Sequence, residues 1–176
     1  MAILFNFTDM EFMMKNFFFS QLSTPIGALG IFANNNGIYR IEFLDKINEE
    51  QLTALESINE NNLTVLAKKQ LTQYFNGARK AFNLPLVPHG TPFRLKAWEV
   101  LQKIPYGETR YYSQQAYLMK NEKAVRAVGA ANGANPIAIV IPCHRVIGKN
   151  GSLTGYAGGL HRKSWLLNLE IKTTKS

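Results

Sequence analysis

Cysteine is nearly absent from this 176-residue chain, Cys143 being the only one. A single cysteine excludes a disulfide within the chain and a zinc site built on several thiolates. The three histidines, His89, His144 and His161, show no metal-ligand spacing, so neither metal nor cofactor is expected. Long apolar runs are missing too. The first 22 residues are rich in Phe and Met, but Asp9, Glu11 and Lys15 interrupt them, so they lack the continuous run of a membrane span. They also lack a basic leader and a small-residue cleavage site, so no signal peptide is expected and the chain reads as cytoplasmic, in a reducing compartment. No internal repeat is present. Acidic residues are scarce in one half only. Residues 1–90 carry 7 Lys and Arg against 8 Asp and Glu, a net −1, whereas residues 91–176 carry 13 against 4, a net +9.

The basic half is also the half with the cysteine. Lys and Arg that neutralise phosphates release counterions and supply sequence-independent affinity, so the asymmetry favours nucleic acid as partner; taken alone, it also fits a solvated surface. At 46% hydrophobic residues the chain can bury a proper core, as one compact domain or two small ones.

In the first region Thr24-Pro25-Ile26-Gly27 and Asn34-Asn35-Asn36-Gly37 are turns, and residues 28–33 and 38–43 are strands of a hairpin or meander. A polar stretch over 45–62 precedes Leu63, Leu66, Ala67, Leu71, Tyr74 and Phe75 at helical spacing, with Gly77 as the stop. A proline-bearing link over 84–90 leads into the second region. There Thr91 is placed to cap a helix that opens with Pro92 and carries Phe93, Ala97, Trp98 and Leu101 on one face. Two short helices over 113–119 and 122–131, separated by Lys120-Asn121, parse as helix-turn-helix, a pattern that serves DNA reading and plain packing alike. Lys123 and Arg126 on the second helix favour DNA. Gly129, Ala130, Ala131 and Gly133 keep its surface low, for close approach to DNA or to another helix. Asn135-Pro136 turns the chain into an apolar strand over 137–140, a glycine-bearing loop spans 148–159, and a last helix over 160–171 buries Trp165, Leu166 and Leu169.

Cys143 follows that apolar run within Ile141-Pro142-Cys143-His144-Arg145-Val146. A thiol attacks only as its thiolate, and a base or a positive field must stand beside it; His144 and Arg145 are neighbours of that kind. On an extended strand consecutive side chains point to opposite faces, so Cys143 and His144 can meet only if the chain leaves the strand here, and Pro142 suits that departure. The same residues also fit a buried small hydrophobe, and the dipeptide alone leaves both readings open.

Pro142-Cys143-His144-Arg145-Val146, with Asn135-Pro136 before it and Thr154-Gly155-Tyr156-Ala157-Gly158-Gly159 after it, closely resembles the O6-alkylguanine-DNA alkyltransferases (methylated-DNA–protein-cysteine methyltransferases). Gly90-Thr91-Pro92-Phe93, Ile104-Pro105-Tyr106-Gly107-Glu108-Thr109, Ala124-Val125-Arg126-Ala127-Val128-Gly129 and Trp165-Leu166-Leu167 are similar in the family's order. So are Thr24-Pro25-Ile26-Gly27 and Tyr74-Phe75-Asn76-Gly77, and the likeness leaves only about the first 15 residues aside.

The resemblance implies an α+β protein with a small ribonuclease-H-like sheet-plus-helix region, 1–86, and a mainly helical, winged helix-turn-helix-like domain, 87–176, that binds DNA and carries the alkyl acceptor. It implies one irreversible transfer from O6-alkylguanine, and from O4-alkylthymine, to Cys143, by a monomer acting on double-stranded DNA. Activation would run from Cys143 through His144, by a bridging water, to Glu170, which without the resemblance is an ordinary helix-surface acid. Base flipping from the minor-groove side would use Arg126 as the filler, with Tyr112 pressing on the target phosphate and lining the pocket. Lys123, Ala127, Gly129 and Ala130 would lie along the DNA. Asn135 would brace the turn before the active site. Tyr156, Ala157, Gly158 and Gly159 would wall the pocket, and the carbonyls of Cys143 and Val146 would accept from the guanine amino edge.

Three positions depart from the family's pattern: Arg110-Tyr111-Tyr112-Ser113, Ala134, and Ala157 where some relatives have serine. Spacing from Gly107 selects Tyr112 as the pocket tyrosine. Two other classes are weaker: a lesion-binding relative lacks the reactive cysteine that this chain keeps, and a cysteine hydrolase needs an oxyanion hole rather than a basic helix-turn-helix surround.

Overall fold

The computed structural model describes residues 17–174, so the reading of the first 22 residues lies largely outside the described residues. Three antiparallel strands, β1 (Phe18–Leu22), β2 (Leu29–Ala33) and β3 (Ile38–Phe43), form a sheet in that order. All five residues of β2 are buried, as expected of a central strand covered on both faces. Two helices follow, α1 (Glu49–Glu56) and α2 (Asn62–Phe75), each opened by an asparagine capping box, at Asn48 and Asn61. Helix α2 buries Ala67, Leu71, Tyr74 and Phe75 in the core shared with Ile31, Ile41 and Ile137. Leu52, Leu55 and Ile58 from α1 and the turn after it cover Phe19, Phe32 and Leu44.

The second region contains α3 (Pro92–Gln102), capped by Thr91 as its sequence requires, then β4 (Arg110–Tyr111), α4 (Tyr112–Leu118), a 3-10 turn at Glu122–Ala124 and α5 (Val125–Gly133). After the segment that carries Cys143 come β5 (Val146–Ile147), paired parallel to β4, and α6 (Leu160–Thr174). Ala97, Val100, Ala116, Val128 and Ala131 pack α3, α4 and α5 together. A fully buried amide pair locks the last two: Asn132 Nδ2 donates to Gln115 Oε1 at 2.7 Å, and Gln115 Nε2 donates to Asn132 Oδ1 at 3.0 Å. The architecture is the α+β one expected.

Several local expectations are corrected. Strand β1 lies where the sequence reading places no element, and the polar stretch over 45–62 contains α1, whose residues are all at least partly exposed, so no apolar stripe announces it. The link over 84–90 is not free: Ile38 N–H donates to Pro85 O at 2.8 Å and Val87 N–H to Ile38 O at 2.9 Å. On α6, Leu166 is fully buried, but Trp165 and Leu169 only partly. The main correction concerns 137–140, which is a turn rather than a strand. Ile137 alone bridges to Ile41 of β3, where Ala138 N–H donates to Ile41 O at 2.9 Å. The fully buried Ile139 then takes φ +72, and Val140 N–H donates back to Ala138 O at 2.8 Å, the closure of a γ-turn. A β-branched residue at positive φ costs about 1–3 kcal/mol, which surrounding packing must offset.

Candidate active site

Pro142 (φ −84, ψ 61) makes a second tight turn, with Cys143 N–H donating to Ile141 O at 2.9 Å, and Cys143–Arg145 form one 3-10 turn. Chain direction therefore changes twice within five residues, and this places Cys143, His144 and Arg145, all buried, on different sides of one turn. Asn135 fixes the approach. Its Nδ2 donates to Ile141 O at 2.7 Å and to Cys143 Sγ at 3.2 Å, while its Oδ1 accepts from Ile137 N–H at 3.0 Å.

His144 is fully buried and its Nε2 lies 2.8 Å from Glu170 Oε1. Glu170, equally buried, accepts at Oε1 from Tyr74 Oη (2.7 Å) and Arg145 Nη2 (3.0 Å) as well. At Oε2 it accepts from Arg145 Nε (2.9 Å) and from Gly107 N–H (3.0 Å). Burial opposes its ionisation, but the hydrogen bonds from His144 and Arg145, with the Arg145 charge, hold the carboxyl down at about 2. Burial likewise pushes His144 below its ordinary value, against the pull of Glu170, so the imidazole is neutral at pH 7 and Arg145 supplies the balancing charge. A neutral imidazole facing a carboxylate must put its proton on Nε2. Nδ1 is then a bare acceptor, and it is buried without a hydrogen-bond partner.

Burial raises the Cys143 thiol, while the Asn135 hydrogen bond and the Lys163 charge lower it, so the resting sulfur keeps its proton. The positive field at the thiol comes from Lys163 and not from Arg145, whose guanidinium is spent on Glu170 and on Ile104 O at 2.7 Å. Lys163 is itself fully buried and donates through Nζ to Val146 O and Thr154 O, each at 2.6 Å. Val146 O keeps a second lone pair for a further donor.

Around this centre, Tyr156 sets its ring edge-on to His144 at 6.5 Å, with its hydroxyl buried and unpartnered. Gly159 takes φ +90 to turn the loop into α6. Tyr112 donates to Thr154 O at 3.1 Å, and its ring faces Gly129, where a Cβ would sit 3.8 Å away. Cys143, His144, Glu170, Asn135, Val146, Tyr112 and Tyr156 thus gather at one place. Arg126, Lys123, Ala127 and Ala130 do not join the hydrogen-bond network; Arg126, Ala127 and Ala130 lie exposed along α5 and Lys123, expected on that helix, is exposed in the 3-10 turn before it, while Gly129 is half-buried and Ala157 exposed. Tyr74 and Lys163 have no site role in the sequence reading, and Arg145, expected beside the thiol, pairs with Glu170 instead. A signal existed for α6: Lys163, Leu166, Leu167 and Glu170 share one helical face, so two charges interrupt an apolar stripe.

A buried thiol next in sequence to a neutral histidine, which a buried carboxylate braces, mounted against a helix-turn-helix, is the set of groups that a base-activated cysteine nucleophile requires. Residues 92–172 match the profile described as 6-O-methylguanine DNA methyltransferase, DNA binding domain, and residues 18–88 the one described as its ribonuclease-like domain. Among similar proteins, the methylated-DNA–protein-cysteine methyltransferase of Methanosarcina barkeri is 43% identical, over 87% of this chain and 96% of its own. The constitutive one of Bacillus subtilis is 46% identical, over 87% and 94%. The crystal structure of Mycobacterium tuberculosis O6-methylguanine methyltransferase superposes with a TM-score of 0.79 at 39% identity, over 89% of this chain and 94% of that one. OGT of that organism in complex with DNA gives 0.77 at 39% identity, over 88% and 93%. The chain belongs to the methylated-DNA–protein-cysteine methyltransferase family.

Proposed function

We propose that Cys143 removes the alkyl group from O6 of guanine in double-stranded DNA, once per molecule, with His144 as base and Glu170 as its orienting anion. The protein repairs DNA by alkyl transfer to its own cysteine, the activity its relatives are named for. In the step, Sγ–H gives its proton towards His144 Nδ1, directly or through one water. The thiolate then attacks the alkyl carbon, a carbon–sulfur bond forms, and the carbon–O6 bond breaks with its electron pair moving to guanine. Guanine takes up the proton at N1, so atoms and charge balance. The thioether carries no good leaving group, and no second thiol is present to relieve it.

The observation that carries this reading is the buried, unpartnered Nδ1 of an imidazole whose Nε2 is committed to Glu170. Because the resting thiol is protonated, the nucleophile is made only when a base can accept its proton, which protects a one-use group from idle reaction. Only 7% of Cys143 is exposed, so the target must enter the pocket, and a base in a duplex must leave its stack to do so.

In this reading residues 1–86 are scaffold and 87–176 the DNA-binding and acceptor domain. Arg126 fills the stack, and exposed Lys123, Ala127 and Ala130, with Gly129, lie against the minor groove, where little base-edge information is available. Tyr112 and the loop from Tyr156 to Gly159 line the pocket, and the carbonyls of Cys143 and Val146 accept from the base. One copy of the chain holds every group the step uses, so it acts as a monomer, in the cytoplasm where a free thiol stays reduced. No helix among the described residues is long and apolar enough to cross a membrane.

Intact mass spectrometry after incubation with an oligonucleotide containing O6-methylguanine, followed by peptide mapping, tests the reading. A single methyl gained on Cys143 is expected. Binding with no gain leaves a lesion-recognition protein, and neither binding nor gain defeats the repair function.

A further inference from the structure

Arg162 stands in the first turn of α6, where a cation faces the positive end of the helix dipole and gains nothing from the helix. Its side chain turns instead into the sheet region and is only 9% exposed. Nε–H donates to Ile26 O at 2.7 Å, and Nη1 donates to Asp45 Oδ1 and to Gly158 O, each at 3.1 Å. The guanidinium lies 3.9 Å over the ring of Phe43. The Thr24-Pro25-Ile26-Gly27 turn makes room for it: Gly27 takes φ +116, and a Cβ there would come within 2.8 Å of Nη2. From the other side Phe43 presses on Gly158, where a Cβ would meet its ring at 2.8 Å. One buried side chain thus ties two segments of the first region to the loop that follows Tyr156.

We propose that Arg162 is a positioning residue for the substrate: it pins the loop from Tyr156 to Gly159 against Ile26, Phe43 and Asp45, so that the pocket wall is set before the alkylated base arrives. The proposal rests on reading that loop as the alkylguanine pocket, and it makes the sheet region part of substrate recognition. Lysine cannot replace this arginine, because the site uses a planar group that stacks on one face while donating in two directions.

The test uses the full chain and its Arg162→Met variant. Loss of the Cys143 thiol is followed against the concentration of free O6-benzylguanine, giving a half-saturation concentration and a limiting rate. Iodoacetamide labelling of Cys143 across pH reads the thiol without the base pocket. Arg162→Met is expected to raise half-saturation about tenfold, the order set by charge-assisted hydrogen bonds. Arg162→Lys remains raised, and the labelling rate and its pH midpoint stay at the wild-type values. An unchanged half-saturation overturns the proposal, as does an equal fall in both reactions, which marks general loosening. Should Arg162→Met fail to fold by circular dichroism, Phe43→Leu takes its place: raised half-saturation supports the positioning role, and wild-type behaviour overturns it. Failure of the repair reading shows separately, as wild-type protein that gains no methyl from alkylated DNA.

Discussion

Glu170→Gln tests the buried carboxylate most directly. Glutamine is nearly isosteric, so cavity formation is not the perturbation; the loss is one acceptor oxygen and one charge. An amide NH2 at the Oε1 position would confront Tyr74 Oη, His144 Nε2 and Arg145 Nη2, and at the Oε2 position Gly107 N–H and Arg145 Nε. The second arrangement sacrifices fewer bonds, and it leaves a buried Arg145 without its counter-ion. Removing one partner of a buried pair costs about 3–5 kcal/mol. An independent route gives a similar figure. The carboxyl's fall from an ordinary 4.5 to about 2 corresponds, at about 1.4 kcal/mol per pH unit, to about 3 kcal/mol of stability.

Because the folded carboxyl titrates below the unfolded one, that stabilisation is whole above about pH 4.5 and disappears as pH falls towards about 2. Urea unfolding of both proteins at pH 7, 5, 3.5 and 2.5 is the assay. The variant is expected to be weaker by about 3 kcal/mol at pH 7, with the gap falling to about 1 kcal/mol at pH 2.5. The imidazolium formed when His144 takes the thiol proton also loses its anion, so alkylation by O6-benzylguanine slows on the order of 100-fold. A stability gap that stays constant across the acid range would refute the reasoning, because it would show that the ionised carboxylate is not what Glu170 contributes.

Arg126→Ala is expected to leave reaction with free O6-benzylguanine intact and to slow repair in duplex DNA on the order of 10- to 100-fold, since an unfilled stack raises the price of flipping; equal loss on both substrates removes the filler role. Gln115→Leu strands the Asn132 amide and is expected to cost about 1–3 kcal/mol, seen as a lower urea midpoint. The double variant Gln115→Leu, Asn132→Met recovers part of that loss, and no recovery would mean that the pair matters for shape rather than for hydrogen bonding.

Much was legible in the sequence because it is local. Thr91-Pro92 opens a helix by the chemistry of its own cap, the apolar spacing over 63–75 lays one face of α2 on the sheet, and Cys143-His144 puts a thiol and an imidazole on one turn. The net +9 of residues 91–176 needed no structure either, and it points to a polyanion. The apolar run 137–140 read as a strand because periodicity cannot separate a short buried strand from a buried turn; the positive φ of Ile139 exists only because the surrounding core holds it.

What the tertiary structure alone decided is which charges meet. Glu170 lies 26 residues from His144 and 96 from Tyr74, and only its place on the apolar stripe of α6 distinguishes it along the chain from a solvated helix acid. Arg145 reads as the thiol's cation from its position, but folding assigns it to Glu170 and gives the thiol Lys163 in its place. Arg162 likewise acquires a role only when Ile26, Phe43 and Asp45 are carried across to it. Sequence determines the local conformations and the inventory of chemical groups; burial, and with it the protonation state of each group, is a property of what other segments cover.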